Sequence, residues 1–302
     1  MGLARCGRRA GSDREAVLKK SLTGGLLLCL ALQASAAAPA HRLVSLAPHL
    51  TEIAYAAGAG TALVGTVEYS DYPEQAQRLP QVGNAWRIDF ERLLALRPDA
   101  VLVWSGGTPQ QNIDRLRRLG MRIVEVPTNR IADIPVALRS IGTLTGNVAT
   151  AARAAAEFER AIAAERKANA GKRRLSVFIQ IDDDPLFTVN GAHVISEVVA
   201  LCGGSNVFAD LSQTAPAVSM EAVVTRDPQV ILSTDDTVTE PYAGWSRWPR
   251  LTAVRSRTVY PMPSDVVARA SPRLVQGVRA VCAALDDARL RLVPSGIQSP
   301  RR

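Results

Sequence analysis

From Arg42 onward, short apolar runs alternate with stretches whose apolar positions recur at helical spacing. RLVSLAP from Arg42 reads as a short buried strand, Thr51 to Ala57 as a helix closed by Gly58, and ALVGTV from Ala62 as a second strand. FERLLALRP from Phe90 predicts a helix and DAVLVW from Asp99 a strand. Gln110 to Leu119 predicts a helix stopped at Gly120, RIVEV from Arg122 a strand, and Ile134 to Leu144 a further helix. Strands that alternate with helices imply a mostly parallel sheet covered on both faces.

The pattern then changes. From Asn147 to about Ala168 the chain contains neither Gly nor Pro and is dominated by Ala, Glu, Arg and Lys. Such a run is a strong helix former, roughly 30 Å or more in length. It predicts a single stiff connector, where a Gly/Ser linker would have allowed free motion. Alternation resumes with RLSVFIQI from Arg174 as a strand, Val194 to Leu201 as a helix ended by Gly203 and Gly204, and MEAVVTRDP from Met220 as a helix. QVILS from Gln229 is a strand and Pro272 to Leu285 the final helix. The fold class expected is α/β: two Rossmann-like lobes with mostly parallel sheets, joined by one long rigid α-helix. The boundaries expected are a leader over 1–38, lobes over 41–145 and 171–290, the connecting helix over 146–170, and a tail over 291–302.

An internal repeat supports two related lobes. FERLLALRPDAVLV and MEAVVTRDPQVILS align at an offset of 130, matching Glu91 with Glu221, Pro98 with Pro228, and Val101 and Leu102 with Ile231 and Leu232. Asp89 and Ser219 then occupy equivalent N-cap positions, each followed two residues later by the glutamate. A first-turn carboxylate in each lobe admits two readings: compensation of the helix dipole, or acidic pegs suited to a two-fold symmetric basic partner.

Composition adds the compartment. Lys19 and Lys20 precede an apolar run from Leu22 to Leu32 and a small-residue stretch from Ala34 to Ala38, which reads as a cleaved secretory signal. Lipidation at Cys29 is disfavoured by Leu28 before it. Removing 1–38 takes away six basic and two acidic groups, so the net charge falls from +8 to +4 and no dense Lys/Arg stripe remains. Nucleic-acid binding is therefore not expected. The remaining cysteines, Cys202 and Cys282, sit in no C-x-x-C motif, and in an exported protein they most simply form one disulfide.

Enzymatic signatures are missing: there is no G-x-S-x-G, Walker A loop, strand-borne G-x-G-x-x-G or H-E-x-x-H. The chain's three histidines, His41, His49 and His193, are scattered and read as surface or helix-end residues, so no metal site is expected. Asp182 to Asp184 lack EF-hand spacing and read as a solvated strand end before Pro185.

What remains is aromatic and lies at strand ends. Tyr69 and Tyr72 follow the second strand within EYSDYPEQ, whose Ser, Asp and Pro mark a loop. Trp86 lies in GNAWRID, Trp104 closes DAVLVW, and Phe187 follows SVFIQI. In open parallel sheets ligands lie beyond the carboxyl ends of strands. With only 5% aromatic residues in the chain, this placement favours a flat or apolar ligand between the lobes.

Together, RLVSLAPHLTEIAYAAGAG, GTVEYSDYPEQAQRLPQVG, ERLLALRPDAVLVWSGG, PLFTVNG, LCGGSNVF and SDVVARASPR resemble the periplasmic cobalamin-binding proteins that feed vitamin B12 ABC importers. The resemblance runs from about Arg42 to Leu285 and implies a class III substrate-binding protein, not an enzyme. It implies that the ligand, cobalamin or a related corrinoid, is carried as cargo without any cofactor. By that resemblance Tyr69 contacts the corrin, and Trp104 and Phe187 line the cleft; Trp86 stands as a ligand-binding candidate by its loop placement. The segment Asp265, Val266, Val267, Ala268 and Arg269 holds the ligand's edge. Glu91 and Glu221 dock onto an inner-membrane ABC permease of two-fold symmetry, Cys202 and Cys282 match the family disulfide, and the protein is expected to be a periplasmic monomer. This sequence departs from the family at three places. Trp86 stands one residue beyond the family's tryptophan position, occupied here by Ala85; Ala215 replaces a lobe-two tryptophan; and Val266 replaces an aromatic. A heme or iron-siderophore carrier of the same fold is the alternative, although an anionic siderophore would want several cleft arginines and only Arg87 and Arg269 suggest themselves.

Overall fold

The computed structural model describes residues 38–292 except 85 and 235–240. The leader expected over 1–38, with Cys29, falls almost wholly outside the described residues, as does the tail beyond 292.

The first lobe opens with β1 (Leu43–Ser45), α1 (Pro48–Ala56) and β2 (Leu63–Gly65). It continues through α2 (Phe90–Ala95), β3 (Ala100–Ser105), α3 (Gln110–Arg118), β4 (Ile123–Pro127) and α4 (Asp133–Thr145). Helix α1 begins three residues before the expected Thr51, because Pro48 is tolerated at N1, where its missing N–H costs nothing. Helix α5 (Val148–Asn169) leads to the second lobe: β5 (Leu175–Gln180), a hairpin of β6 (Asp182–Asp183) and β7 (Leu186–Phe187), α6 (Val194–Leu201) and β8 (Gly204–Asn206). There follow α7 (Met220–Arg226), β9 (Val230–Ser233), α8 (Pro241–Trp245), α9 (Thr252–Arg255), β10 (Val259–Pro261), α10 (Ser264–Val267) and α11 (Leu274–Arg291).

Each lobe holds a four-stranded parallel sheet, ordered β2-β1-β3-β4 and β8-β5-β9-β10. Counting only the strands of each four-stranded sheet in chain order, both orders are 2-1-3-4. The repeat goes beyond topology. Asp89 accepts from the Arg92 amide at 3.0 Å, and Ser219 accepts from the Ala222 amide at 3.2 Å. Both helices then turn through a left-handed residue before proline, Arg97 at φ 46° and Asp227 at φ 37°. Beyond each proline a side chain pins the first strand of the lobe: Asp99 takes the Arg42 amide at 3.0 Å and Gln229 the Ser176 amide at 3.1 Å.

The connecting helix is stiff because it is part of the core. Ala151, Ala155, Phe158 and Ile162 form its buried face, and one continuous apolar cluster runs from Leu43 and Leu102 through them to Leu175 and Leu232. Gly142 of α4 lets α5 approach closely, since a Cβ there would lie 2.2 Å from that of Ala151. Arg139 and Glu159 pair in a two-pronged bond of 2.8 and 2.9 Å beside this seam. In lobe two, Phe178, Phe208 and Trp245 meet edge to face on the other side of the sheet. Cys202 after α6 and Cys282 in α11 are joined by a disulfide closing 80 residues.

Candidate ligand-binding cleft

The carboxyl ends of β1 and β2 lead into the segments carrying the first candidates. Tyr69 adopts φ 62°, uncommon for any residue but glycine, and its ring is 75% exposed. Trp86 is 69% exposed. Asn84 Oδ1 accepts from the amides of Trp86 and Arg87, and Asn112 Nδ2 donates to the Trp86 carbonyl at 3.1 Å, so the loop is fixed while the indole is free. Ala85 lies outside the described residues.

Trp104, near the end of β3, is half-buried. Its amide donates to Thr108 Oγ1 at 3.0 Å, and its indole meets the His49 ring edge-on at 5.1 Å. Gly107 is required beside it, because a Cβ there would come within 1.9 Å of the indole. The Trp104 Nε1 donor is buried without an acceptor among the described residues. His49 corrects the expectation of a surface position: it lies at the helix end but is buried, with Nε2 at 3.0 Å from Thr128 Oγ1. Burial first, and the charge of Arg269 second, hold its pKa down to about 4, so the ring is neutral at pH 7. His193 is the N-cap of α6, where its Nδ1 accepts from the Ile195 amide.

In lobe two Phe187 is half-buried on β7, pairs across the hairpin with Asp182, and bridges to Ala217. Asp182 and Asp183 are exposed strand residues, and among the described residues no metal-binding group of three His, Cys, Asp or Glu forms. Val266 and Val267 are 7% and 0% exposed and belong to the lobe core. Of the 265–269 segment expected to hold a ligand's edge, these two side chains are therefore covered by the lobe itself. The valines of α10 point inward because their face packs on α11, leaving Ala268 exposed and Asp265 partly so, while Arg269 is largely covered. Ala215, where the resemblance places a tryptophan, is exposed. Trp245 is buried in the core, donating Nε1–H to Gln180 Oε1 at 2.8 Å.

Between the lobes stands a charged cluster that sequence reasoning missed in most of its members. Glu52 of α1, with its side chain 2% exposed, accepts from Ser271 Oγ at 2.6 Å, Arg269 Nη1 at 3.2 Å and Arg273 Nη1 at 3.3 Å. Arg269 also reaches Asp71 at 2.5 Å, and Arg273 pairs with Asp265 while its guanidinium lies 4.2 Å from the Tyr72 ring centre. Tyr72 therefore braces its loop against the opposite lobe. Burial raises the Glu52 pKa, opposed by the hydrogen bond from Ser271 and the two guanidiniums; the bond from Arg269 lowers that of Asp71. A signal was present in the chain: Glu52 is the only charged residue between Arg42 and Glu68. A second inter-lobe bond runs from the Ile131 amide to Glu197 Oε2 at 2.8 Å.

Glu91 and Glu221 are exposed in the first turns of α2 and α7, equivalent elements of the two sheets. A hollow of 450 Å³ lined by Arg166, Lys172, Arg174 and Glu197 lies at the amino end of β5, the wrong end of the sheet for a cleft ligand. Another of 210 Å³, lined by Gln180, Leu186, Trp245 and Trp248, opens at the carboxyl end of β5.

The family profile described as periplasmic binding protein matches residues 43–266. The chain belongs to the periplasmic binding protein family. This periplasmic binding protein is thereby a member of a family of non-enzymatic transport components. It is 39% identical over 278 residues to a vitamin B12-binding protein of Pectobacterium atrosepticum, covering 90% of this chain and 95% of the relative. It is 37% identical over 245 residues to one of Vibrio cholerae, covering 81% and 88%. The crystal structure of the periplasmic vitamin B12 binding protein of Vibrio cholerae superimposes with a TM-score of 0.78 at 36% identity, covering 83% of this chain and 98% of that one. A periplasmic heme-binding protein from Roseiflexus shares the fold with a TM-score of 0.74 at 24% identity, covering 82% and 98%. Among the described residues of this periplasmic binding protein, no helix is long and apolar enough to cross a membrane.

Proposed function

We propose that this protein captures cobalamin between its lobes in the periplasm, reached through the leader over 1–38, and delivers it to an inner-membrane ABC permease. The observation that carries the reading is the 37–39% identity to vitamin B12-binding proteins over most of the chain. The geometry agrees with it. A corrin is an apolar disc fringed with amides, so rings should meet its faces and polar groups its edge. Tyr69 and Trp86 offer exposed rings and Trp104 a half-buried wall. Phe187 supplies apolar surface from lobe two, and Asp265, Ala268 and Arg269 face the edge, with Val266 and Val267 contributing through backbone alone. The carrier works as a monomer, and Glu91 and Glu221 dock it onto matching basic sites of the permease.

Titration calorimetry of the mature protein with cyanocobalamin tests this; no heat at tens of micromolar overturns it. Tyr69→Ala and Trp104→Ala each weaken binding by about 1 to 3 kcal/mol. Glu91→Ala combined with Glu221→Ala leaves affinity intact and lowers uptake in cells; unchanged uptake removes the docking role.

A further inference from the structure

The arginines at the lobe contact are already claimed by carboxylates of the protein itself. Arg269 and Arg273 lie inward, with side chains 17% and 14% exposed, while Asp71 and Asp265 lie outward at 52% and 42%. Buried Glu52 holds both guanidiniums from behind. Two cations thus meet three carboxylates, and the two outermost groups are negative. An incoming ligand encounters Asp71 and Asp265 before it can reach either arginine.

This arrangement bears on a choice the fold leaves open, since heme-binding proteins share it. Heme carries two carboxylates on its edge, whereas the fringe of a corrinoid is made of uncharged amides. A carboxylate edge brought to this cluster would lose its hydration and face fixed negative charge, with both guanidiniums of the cluster already engaged. An amide edge meets no such repulsion, and its N–H groups can donate to the outward oxygens of Asp71 and Asp265 to offset its lost hydration. Specificity built from a repulsive element is a common solution where attraction alone discriminates poorly.

Building on the cobalamin reading, we propose that Asp71 is a specificity-determining residue: by occupying Arg269 it closes the cleft to macrocycles with carboxylate edges and leaves it open to those with amide edges. Asp71 acts by holding Arg269 and by presenting its outward oxygen to the ligand's edge, and it is not one of the ring contacts. Nothing in the chain's own pattern marks it, since EYSDYPEQ reads as an ordinary turn until Arg269 arrives from the other lobe, 198 residues away.

The test uses the full mature protein with three probes: cyanocobalamin, hemin, and hemin dimethyl ester, in which the carboxylates are masked. Wild-type protein should prefer the diester over the diacid by about tenfold or more. Asp71→Asn should shrink that preference by about fivefold or more, most clearly at low salt, where surface charge is least screened. Asp71→Glu should restore it. Equal binding of diacid and diester by the wild type, or an undiminished preference in Asp71→Asn, overturns the inference while a cyanocobalamin heat leaves the cobalamin reading standing. A missing cyanocobalamin heat with the diester preference intact has the opposite meaning: the cobalamin reading falls and the role of Asp71 stands.

Discussion

The two lobes share a strand order, a capped helix, a left-handed corner before proline and a side chain that pins the first strand, yet they expose different chemistry beyond their strands. Lobe one turns rings outward, with Tyr69 and Trp86 at 75% and 69% exposure. Lobe two keeps Trp245 and the α10 valines inside and offers charged side chains around Arg269 and Arg273. The lesson is where a duplicated α/β unit is free to change. Helix-corner-strand segments are constrained by cap and strand-pinning hydrogen bonds and by packing, so both copies keep them. Loops beyond the carboxyl ends of strands carry few of those obligations and can diverge.

The lobes also differ in how they are held, and that difference can be measured. The largest effect should come from the disulfide, which staples lobe two alone. Replacing Cys202 and Cys282 by serine removes the constraint of an 80-residue loop, a loss of about 4 kcal/mol on the chain-entropy account, read by urea unfolding. An equal loss of protection in lobe one, by amide exchange, would show that the lobes do not unfold separately.

Acid should come next. His49 in lobe one and His193 in lobe two both have pKa values held down to about 4, chiefly by burial. The unfolded chain binds protons near pH 6.5 that the folded chain refuses, so stability present at neutral pH is lost as pH falls from about 6.5 toward 4. The slope is about 1.4 kcal/mol per pH unit for each histidine. Since both pKa values are held near 4, His49→Asn and His193→Asn should each flatten the pH profile of unfolding, and to a similar degree.

Glu52 joins the lobes. Glu52→Gln leaves two guanidiniums with weaker partners, but Asp71 and Asp265 remain, so the cost should be about 2 to 3 kcal/mol, below that of a fully broken buried pair. Smallest are the matched caps: Asp89→Ala and Ser219→Ala should each cost about 1 kcal/mol by chemical denaturation. Clearly unequal costs would argue that the repeat is one of shape and not of energetics.

Much of the scaffold was legible because it is local. The alternation of apolar runs, the Gly- and Pro-free stretch of α5 and the offset pair of helix-corner-strand segments all register in the chain as periodicity. Elements without such a signal were missed: β8 is Gly-Ser-Asn, β10 is three residues ending in proline, and the β6–β7 hairpin begins with two aspartates. They are strands because a neighbouring strand supplies hydrogen bonds, not because their side chains ask for it. Among the candidate ligand contacts, Tyr69 and Trp86 could be proposed from their loop surroundings. The inward turn of Val266 and Val267 could not, since it depends on where α11 packs.

What followed from residue order alone was the α/β class, the stiff helix between two similar halves and the family, since each rests on patterns spanning a few turns of chain. Which side chains meet across the halves was decided only by folding. Glu52, Asp71, Arg269 and Arg273 come from segments about 200 residues apart, and a charge becomes a latch or a filter only when burial strips its water and a partner is placed beside it.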